Sequence, residues 1–296
     1  MINDIHCHFF SSRFLELLTK DIASLPKDGR ATVVSAQLGW DDPGSADALA
    51  DRWVAELDRQ GVSRAALIAS IPGDEESVAA AVRRHPSRLV GFFMFNPVPA
   101  DASERLSRAL GDMGLKGVCL FPAMHRYRLD DDRVGHVFES AAKHKAVVFA
   151  HCGALTVGVR KKLGLRSPFD WRLGDPLALA TTANAFPSVP VIVPHFGAGF
   201  FGEALMAADQ CPSIHLDTSS SNGWIKYHPG LSLDAVFSQA LAVAGPDRLL
   251  FGTDFPPGGE AAGYVTAIRG LKVFSEAALR AIERENAVRL IPRFAG

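Results

Sequence analysis

Eight short apolar runs alternate with amphipathic segments along the chain, and this alternation constrains the fold more than any other feature. The runs are rich in Val, Ile, Leu and Phe and are almost continuously apolar, as expected of parallel strands buried on both faces. They predict strands over Ile2–His6, Arg64–Ser70, Leu89–Phe95, Leu115–Phe121, Ala146–His151, Val189–His195, Ser213–Thr218 and Arg248–Asp254. The segments between and after them have helical periodicity and predict helices over Ala46–Gln60, Asp74–His85, Ala102–Asp112, Arg133–His144, Asp175–Phe186, Gly202–Gln210, Leu233–Ala244, Ala261–Leu271 and Ser275–Leu290.

Eightfold alternation of strand and helix over 296 residues predicts an α/β fold, a single (β/α)8 TIM barrel. The competing architecture is a doubly wound open sheet, which carries a glycine-rich phosphate loop after its first strand. Here the first strand runs into His6-Cys7-His8-Phe9-Phe10, a sequence that suits a metal rather than a phosphate. No linker or repeat divides the chain, so we expect residues 1–296 to form one domain.

Charge and hydropathy exclude several classes of protein. The chain carries 31 Lys and Arg against 32 Asp and Glu, and this balance argues against a nucleic-acid partner. No apolar stretch approaches the roughly 20 residues that span a bilayer, and no secretory signal is visible, so no membrane association is expected. The cysteines are scattered without a CxxC pair, which favours a reducing, cytoplasmic location.

Two connections are much longer than the others. Residues 11–45 follow the first predicted strand, and residues 152–174 follow the fifth. Loops that follow strands of a barrel emerge at the face where active sites lie, and long loops there commonly form lids or substrate walls. We therefore expect both to lie over the active-site face.

Four histidines and one aspartate stand at the carboxyl ends of predicted strands. His6 and His8 are two residues apart on strand one, so they share a face while Cys7 points away. His151 ends strand five, His195 strand six and Asp254 strand eight. The barrel would bring all five to one mouth, and imidazole with carboxylate suits Zn²⁺, Mn²⁺, Fe²⁺ or Co²⁺. The other histidines show no such placement: we predict solvent-facing positions for His85, His125, His136 and His144, and a place within strand seven for His215.

The same strand ends carry motifs that resemble the amidohydrolase superfamily. The closer similarity is to its amidohydrolase-related branch, which includes aminocarboxymuconate-semialdehyde decarboxylase-like enzymes. The motifs are Asp4-Ile5-His6-Cys7-His8, Ala150-His151, Pro194-His195-Phe196-Gly197 and Phe251-Gly252-Thr253-Asp254-Phe255-Pro256, and the closing Glu285-Asn286-Ala287-Val288-Arg289-Leu290 is similar as well. The resemblance extends over essentially the whole chain.

The resemblance implies a single divalent metal, most often zinc, with His6, His8, His151 and Asp254 as ligands and no organic cofactor. It implies that His195 acts on water or substrate, and that Asp254 moves a proton. Binuclear relatives place a bridging lysine or glutamate at the end of strand four. This chain has Cys119-Leu120-Phe121-Pro122 there, and Lys116 stands at the opposite end of the strand, which favours one metal.

The branch implies two reactions on a small carboxylated substrate. The first is hydrolysis of an amide, ester or lactone by a metal-activated water. The alternative is non-oxidative decarboxylation of an aromatic or muconate-like acid. We favour hydrolysis at this point, because decarboxylation also needs a carboxylate anchor that the motifs do not identify. A non-catalytic binding barrel would lack a ligand or have a blocked pocket, and none of the ligands is missing.

Candidate substrate contacts come from two connections. The strand-five connection offers Arg160, Trp171 and Arg172, since arginine pairs with carboxylates and tryptophan stacks on flat rings. Trp224 stands in the strand-seven connection. The run Asp217-Thr218-Ser219-Ser220-Ser221 either lines the pocket or supplies, through Asp217, a buried partner for a ligand histidine. Relatives are often dimers, so the resemblance also implies a homodimer.

Overall fold

Eight parallel strands form a single sheet whose neighbours follow chain order from first to last. The structure is a computed structural model that describes residues 1–219, 222–255 and 261–295. The strands are β1 (Ile2–Phe9), β2 (Val62–Ala69), β3 (Leu89–Phe95), β4 (Gly117–Leu120), β5 (Val147–Ala150), β6 (Val191–Val193), β7 (Ile214–Asp217) and β8 (Leu249–Leu250). This is the predicted (β/α)8 barrel.

Helices follow the strands on the outside of the barrel. The α-helices are α1 (Ser12–Leu18), α2 (Arg30–Leu38), α3 (Ala46–Gln60), α4 (Glu75–Arg84), α5 (Ala102–Ser107), α6 (Pro122–His125), α7 (Asp132–His144), α8 (Gly158–Lys162), α9 (Pro176–Ala185), α10 (Phe201–Gln210), α11 (Leu233–Ala244), α12 (Ala261–Arg269), α13 (Glu276–Arg280) and α14 (Asn286–Leu290). The predicted helix Ser275–Leu290 is α13 and α14 joined by a π-helical turn, and the Ser275 side chain caps it as its sequence indicates. Residues 108–112 form a second such turn after α5.

The barrel closes between β1 and the segment that follows β8. Ile5 N donates to Phe251 O at 3.0 Å, and Asp254 N donates to His6 O at 2.8 Å. The buried carboxylate of Asp4 joins the same two segments, because it accepts hydrogen bonds from His6 N and from the backbone and hydroxyl of Thr253. Burial raises the pKa of Asp4 to about 6. This closure brings β1 and the segment after β8 together at the mouth of the barrel.

The predicted strands six and eight were too long. Regular pairing ends at Val193 and Leu250, so His195 and Asp254 follow their strands and are not part of them. After β6 the backbone enters the left-handed region at His195 (φ 55°) and cannot continue an extended ladder there. Asp254 (φ 60°) has the same conformation, four residues after β8 ends.

Two separate apolar layers hold the barrel. Side chains that point inward from the strands, such as Ile5, Phe92 and Phe149, fill its interior. A larger layer packs the outward side chains against the helices. Both faces of each strand are therefore buried, which explains the uniformly apolar runs in the sequence.

The connection 11–45, predicted as a loop, contains two helices. Helices α1 and α2 are short, and glycines at residues 29 and 39 delimit α2 with left-handed backbone. Phe14 and Val34 from this segment form a third apolar cluster with Val159 of α8, which lies in the other long connection. The two long connections therefore pack against each other.

His125 was predicted to face solvent, and this prediction is wrong. It ends α6 directly after β4, and burial lowers its pKa to about 4. Of the other histidines predicted to face solvent, His85 and His144 are partly exposed. His136 is exposed and pairs with Glu139 on the surface. His215 lies in β7 as predicted, and burial likewise lowers its pKa to about 4.

The structure also bears on the predictions about cysteines and membrane-spanning segments. Each cysteine is a free, buried thiol. Across residues 1–219, 222–255 and 261–295, no helix combines the length and apolar character needed to cross a membrane.

The last turn of the closing helices is tied to β8 by one buried amide. Asn286 Nδ2 donates to Pro246 O at 2.8 Å and to Leu249 O at 2.7 Å. Replacing Asn286 with Ala leaves both carbonyls without this donor, so we expect the free energy of unfolding to fall by about 2–3 kcal/mol in urea titrations. Gln239→Ala, at an exposed position of α11, is the control and should change it by less than about 0.5 kcal/mol. Equal effects of the two substitutions would contradict this role for Asn286.

Candidate metal centre

Three of the predicted ligands meet at the carboxyl end of the barrel. His6 Nε2 lies 3.2 Å from Asp254 Oδ1, and His8 Nε2 lies 2.9 Å from the same oxygen. Each of the three residues offers one possible ligand atom, and these three atoms all lie within 4.8 Å of one another. Two imidazole nitrogens and a carboxylate oxygen thus converge on one point.

The Nδ1 atoms of His6 and His8 each have a polar partner as well. Asp217 Oδ2 lies 2.7 Å from His6 Nδ1, and Ser70 Oγ lies 2.8 Å from His8 Nδ1. Such contacts fix the orientation of each ring and direct Nε2 toward the shared point. Asp217 is therefore the buried partner of a predicted ligand, His6, which is one of the two roles that the sequence suggested for it.

The two remaining histidines border this cluster. His195 Nε2 lies 3.9 Å from Asp254 Oδ2, and its Nδ1 is 2.6 Å from Ser219 Oγ. The ring of His151 lies 5.3 Å from that of His195, between centroids, and it stacks on Phe121. His151 is outside the tight group of three, although it lines the same cavity.

Unusual backbone places these side chains. His195 and Asp254 both have positive φ, a conformation that non-glycine residues adopt rarely and that concentrates at functional sites. Gly252 precedes Asp254 where there is no room for a side chain: a Cβ there would lie 2.5 Å from Asp217 Oδ1 and 2.9 Å from His6 Cβ. The strand-eight motif therefore requires glycine at this position.

The charges of the cluster favour a cation. Burial by itself would lower the pKa of His6, but the carboxylates of Asp254 and Asp217 outweigh it and raise that pKa to about 10. Burial would raise the pKa of Asp254, yet the neighbouring histidines, His6 above all, hold it well below its usual value. Burial lowers the pKa of His151 to about 4 and that of His195 well below its usual range, so both rings are neutral.

The donor set fits a divalent metal. Such ions bind neutral imidazole and ionised carboxylate, so a bound ion would displace the proton that Asp254 and Asp217 stabilise on His6. In addition, the Nδ1 atom of His151 is buried and has no hydrogen-bond partner in the described parts of the chain. A buried polar atom without a partner is unfavourable, and a bound cation would satisfy it.

A cavity of about 550 Å³ opens directly onto these residues. Its walls are largely apolar and aromatic. Beside the predicted ligands and His195 they include Phe10, Phe14, Leu18, Trp40, Ser70, Ile71, Met94, Phe121, Met124, Ala154, Leu155, Thr156, Val157, Gly158, Val159, Arg160, Lys162, Ala198, Gly223, Trp224, Lys226 and Tyr227. The volume is typical of small-molecule sites, which combine apolar walls with a few polar groups.

The four predicted substrate contacts separate into two pairs. Arg160 and Trp224 line the cavity. The buried Trp224 indole lies against Phe201 and His228. The structure does not place Arg172 or Trp171 on the cavity wall: the Arg172 side chain is 89% exposed and pairs with Asp170, while Trp171 Nε1 donates to Leu155 O. Local pairing with Asp170 therefore turns Arg172 away from the cavity.

Several site residues were not singled out from sequence. Ser70 directly follows β2, whose Ala69 pairs with Phe9 of β1, so the strand register would have placed it beside His8. Ser219 lies in the serine run, but nothing in that run indicates His195 as its partner. Phe10 and Trp40 form a stacked wall that depends on the fold of residues 11–45. Ser220, Ser221 and Pro256 of the sequence motifs lie outside the described residues.

Comparisons with known proteins agree with this geometry. The family model described as Amidohydrolase matches residues 4–293. Decarboxylase yanB from Aspergillus niger is 26% identical over 268 residues, which cover 77% of this chain and 72% of that protein.

Solved structures share the fold over the full length. An uncharacterised TIM-barrel protein, Bb4693 from Bordetella bronchiseptica, has a TM-score of 0.70 at 19% identity, covering 100% of this chain and 99% of that one. A dihydroxybenzoic acid decarboxylase from Polaromonas, with bound manganese, has a TM-score of 0.64 at 19% identity, covering 98% and 97%. With the family model matched from the first strand motif to the closing helices, the chain is an enzyme of the amidohydrolase family.

Proposed function

We propose that this enzyme catalyses the metal-dependent, non-oxidative decarboxylation of a small aromatic acid. The observation that carries the proposal is the largely apolar, aromatic cavity that opens directly onto His6, His8 and Asp254. The sequence favoured hydrolysis because it offered no carboxylate anchor. Cationic side chains on the cavity wall, Arg160, Lys162 and Lys226, supply candidates for one.

An apolar wall suits the loss of CO₂. The substrate carries a compact charge on its carboxylate, and the reaction disperses that charge into the ring before CO₂ departs uncharged. Transfer from water to a site with few polar groups destabilises the compact charge more than the dispersed one. Phe10 and Trp40 stack with planes 7° apart at 5.3 Å, which gives one wall a flat surface for an aromatic ring.

The relatives support the same class of reaction. The similar protein from Aspergillus niger is named a decarboxylase. The manganese-containing structure from Polaromonas is a decarboxylase of a dihydroxybenzoic acid. The latter name adds that a dihydroxybenzoic acid is the first substrate type to test.

We further propose a single zinc ion, with Mn²⁺, Fe²⁺ or Co²⁺ as substitutes, held by His6, His8, His151 and Asp254. The bound ion would supply positive charge that orients the acidic substrate and stabilises the negative charge developed in the reaction. Asp217 and Ser70 would keep the two strand-one ligands in position through their Nδ1 atoms.

Asp254 and His195 are the groups placed to move a proton. The bond between the ring and the carboxylate breaks, its electron pair remains on the ring carbon, and that carbon takes up one proton as CO₂ leaves. The proton comes from solvent: Asp254 Oδ2, which faces His195 Nε2 at 3.9 Å, can accept it from a water molecule and pass it to the carbon, and the hydroxide left behind returns to solvent. Ser219 holds the other nitrogen of His195 and thereby fixes the ring.

Hydrolysis is the second candidate, and one observation favours it. The Asp254 carboxylate stays ionised at the cavity wall, so it can take a proton from water and transfer it to a leaving group. This would act on a lactone or amide of similar size.

A direct assay separates the two reactions. Zinc- or manganese-loaded enzyme is incubated with hydroxybenzoic acids labelled with ¹³C in the carboxyl group, and in parallel with aryl lactones and amides. The proposal expects labelled CO₂ and the ring product in equal amounts. Hydrolysis of a lactone or amide without CO₂ from any acid would contradict decarboxylation.

Asp254→Asn should reduce kcat by about 10²–10⁴-fold, because the amide cannot accept and return a proton. The measurement is turnover at saturating metal, with circular dichroism to check the fold. Asp130→Asn is the control, since that carboxylate pairs with Arg128 outside the cavity lining. A kcat of Asp254→Asn within twofold of wild type would refute the proton-transfer role.

A matched pair of serine substitutions separates metal binding from proton transfer. Ser70→Ala frees the His8 ring and should weaken metal affinity by about 10–100-fold. Ser219→Ala frees the His195 ring and should lower kcat by a similar factor with metal affinity unchanged.

Metal titration measures the metal affinity, and turnover measures kcat. The ¹⁵N shifts of the imidazole nitrogens report on the two histidine rings. If Ser219→Ala lost metal as strongly as Ser70→Ala, His195 would belong with the metal ligands and not with the proton-transfer groups.

A further inference from the structure

A left-handed turn follows β6 and begins at His195. The backbone φ is positive at five consecutive residues, 55° at His195, 53° at Phe196, 86° at Gly197, 47° at Ala198 and 99° at Gly199. Residues other than glycine adopt this conformation rarely and then singly, because Cβ comes too close to the following carbonyl oxygen. A turn that includes three such residues depends on contacts from the surrounding structure to hold it.

The connection after β5 supports one side of this turn through its backbone. Ala154 N donates to Ala198 O at 2.8 Å. The two backbones approach so closely that a Cβ at Gly153 would lie 2.1 Å from Gly197 O. This side of the turn is therefore held by main-chain contacts.

The other side of the turn is held by a side chain. His228 Nε2 lies 2.9 Å from Gly199 O, the last carbonyl of the turn. A carbonyl oxygen can only accept a hydrogen bond, so Nε2 carries the proton and donates it. Within the described residues, His228 is the one side chain that donates to a carbonyl of the turn.

The fold holds His228 itself in place. Its backbone N donates to Ile225 O at 2.9 Å, and its carbonyl accepts from Leu231 N at 3.0 Å. Ile225 and Leu231 pack against the outer apolar layer of the barrel. The His228 ring meets the buried Trp224 ring nearly at a right angle, with centroids 5.7 Å apart. A residue anchored in this way can fix the position of Gly199.

The connection after β7 thus contacts the turn at both ends. Ser219 Oγ lies 2.6 Å from His195 Nδ1 at the first residue, and His228 holds the carbonyl of the last. Ser219 restrains only the ring, whereas His228 restrains the backbone that carries it. His228 is not among the residues that line the described cavity, so its contact with the turn is its route to the site.

We propose that His228 is a positioning residue, whose hydrogen bond to Gly199 O holds the left-handed turn in the conformation that directs the His195 ring toward Asp254. This rests on the proposed function only in giving His195 a part in the reaction, whether decarboxylation or hydrolysis. Small displacements of a reacting group are enough to lower the rate strongly.

The test replaces His228 with Phe in zinc-loaded enzyme. The phenyl ring keeps the contact with Trp224 but cannot donate to Gly199 O. We expect the ¹⁵N resonances of the His195 ring to shift and kcat to fall by about 10–100-fold, because the ring leaves its reactive position. Metal affinity and KM should stay within about threefold of wild type, since the groups that bind metal and substrate are unchanged. Circular dichroism checks the fold.

Two further substitutions separate the hydrogen bond from the bulk of the ring. The amide of His228→Gln can donate to the same carbonyl, so the His195 resonances and kcat should return to nearly wild-type values. The shorter amide of His228→Asn does not reach Gly199 O and should reproduce the loss, which provides the test if the Phe variant does not fold. His136→Phe is the matched control at an exposed position of α7 and should change neither quantity.

Several results would overturn the proposal. Unchanged His195 resonances in folded His228→Phe or His228→Asn would show that the turn does not depend on the hydrogen bond. Equal changes in His228→Phe and His228→Gln would assign the effect to packing of the ring. Loss of metal from His228→Phe would assign it to the metal centre.

The His195 resonances also keep the two proposals separate, because they report on the ring whether or not any compound is turned over. If they depend on His228 in an enzyme that releases no CO₂ from any acid, the positioning role is supported and decarboxylation is contradicted. Release of CO₂ with resonances and kcat that do not depend on His228 would do the reverse.

Discussion

The structure depends on one shared contact, the Asp254 Oδ1 atom that faces the Nε2 atoms of both His6 and His8. This contact exists because the segment after β8 pairs with β1 and closes the barrel. The hydrogen bond from Asp254 N to His6 O is part of that closure, so the backbone that seals the barrel is the backbone that assembles the site. Left-handed backbone at Asp254 then directs its carboxylate inward.

Burial of the charged groups at the barrel mouth is tolerated because they pair with one another. A buried carboxylate or imidazolium is strongly unfavourable alone and acceptable when paired. Asp217 and Asp254 stabilise positive charge at His6, and Asp4 receives three hydrogen bonds where β1 meets the segment after β8. The same pairing leaves a cluster that attracts a cation, beside a cavity whose lining also includes Arg160, Lys162 and Lys226.

Sequence reasoning succeeded where geometry follows from strand periodicity. The shared face of His6 and His8, and the positions of His151 and His195 just beyond the carboxyl ends of β5 and β6, follow from alternation and from the rule that barrel sites lie at carboxyl ends. Sequence reasoning failed where contacts between distant parts of the chain determine the local structure. The helices in residues 11–45 are short and delimited by glycines, and their stability comes from packing on Val159. Arg160 and Arg172 look equivalent in sequence, but Asp170 is paired with only the second. Strands six and eight were predicted too long because left-handed turns give no strong signal in apolar sequence.

The central claim is that one divalent metal binds where the side chains of β1, β5 and the end of β8 meet. Metal analysis by mass spectrometry of protein purified without chelators, repeated after incubation with Zn²⁺, tests it most directly. The account predicts about one ion per chain. A value near two would mean that a bridging ligand exists that we have not identified. Absence of bound metal even after incubation with zinc would contradict the account.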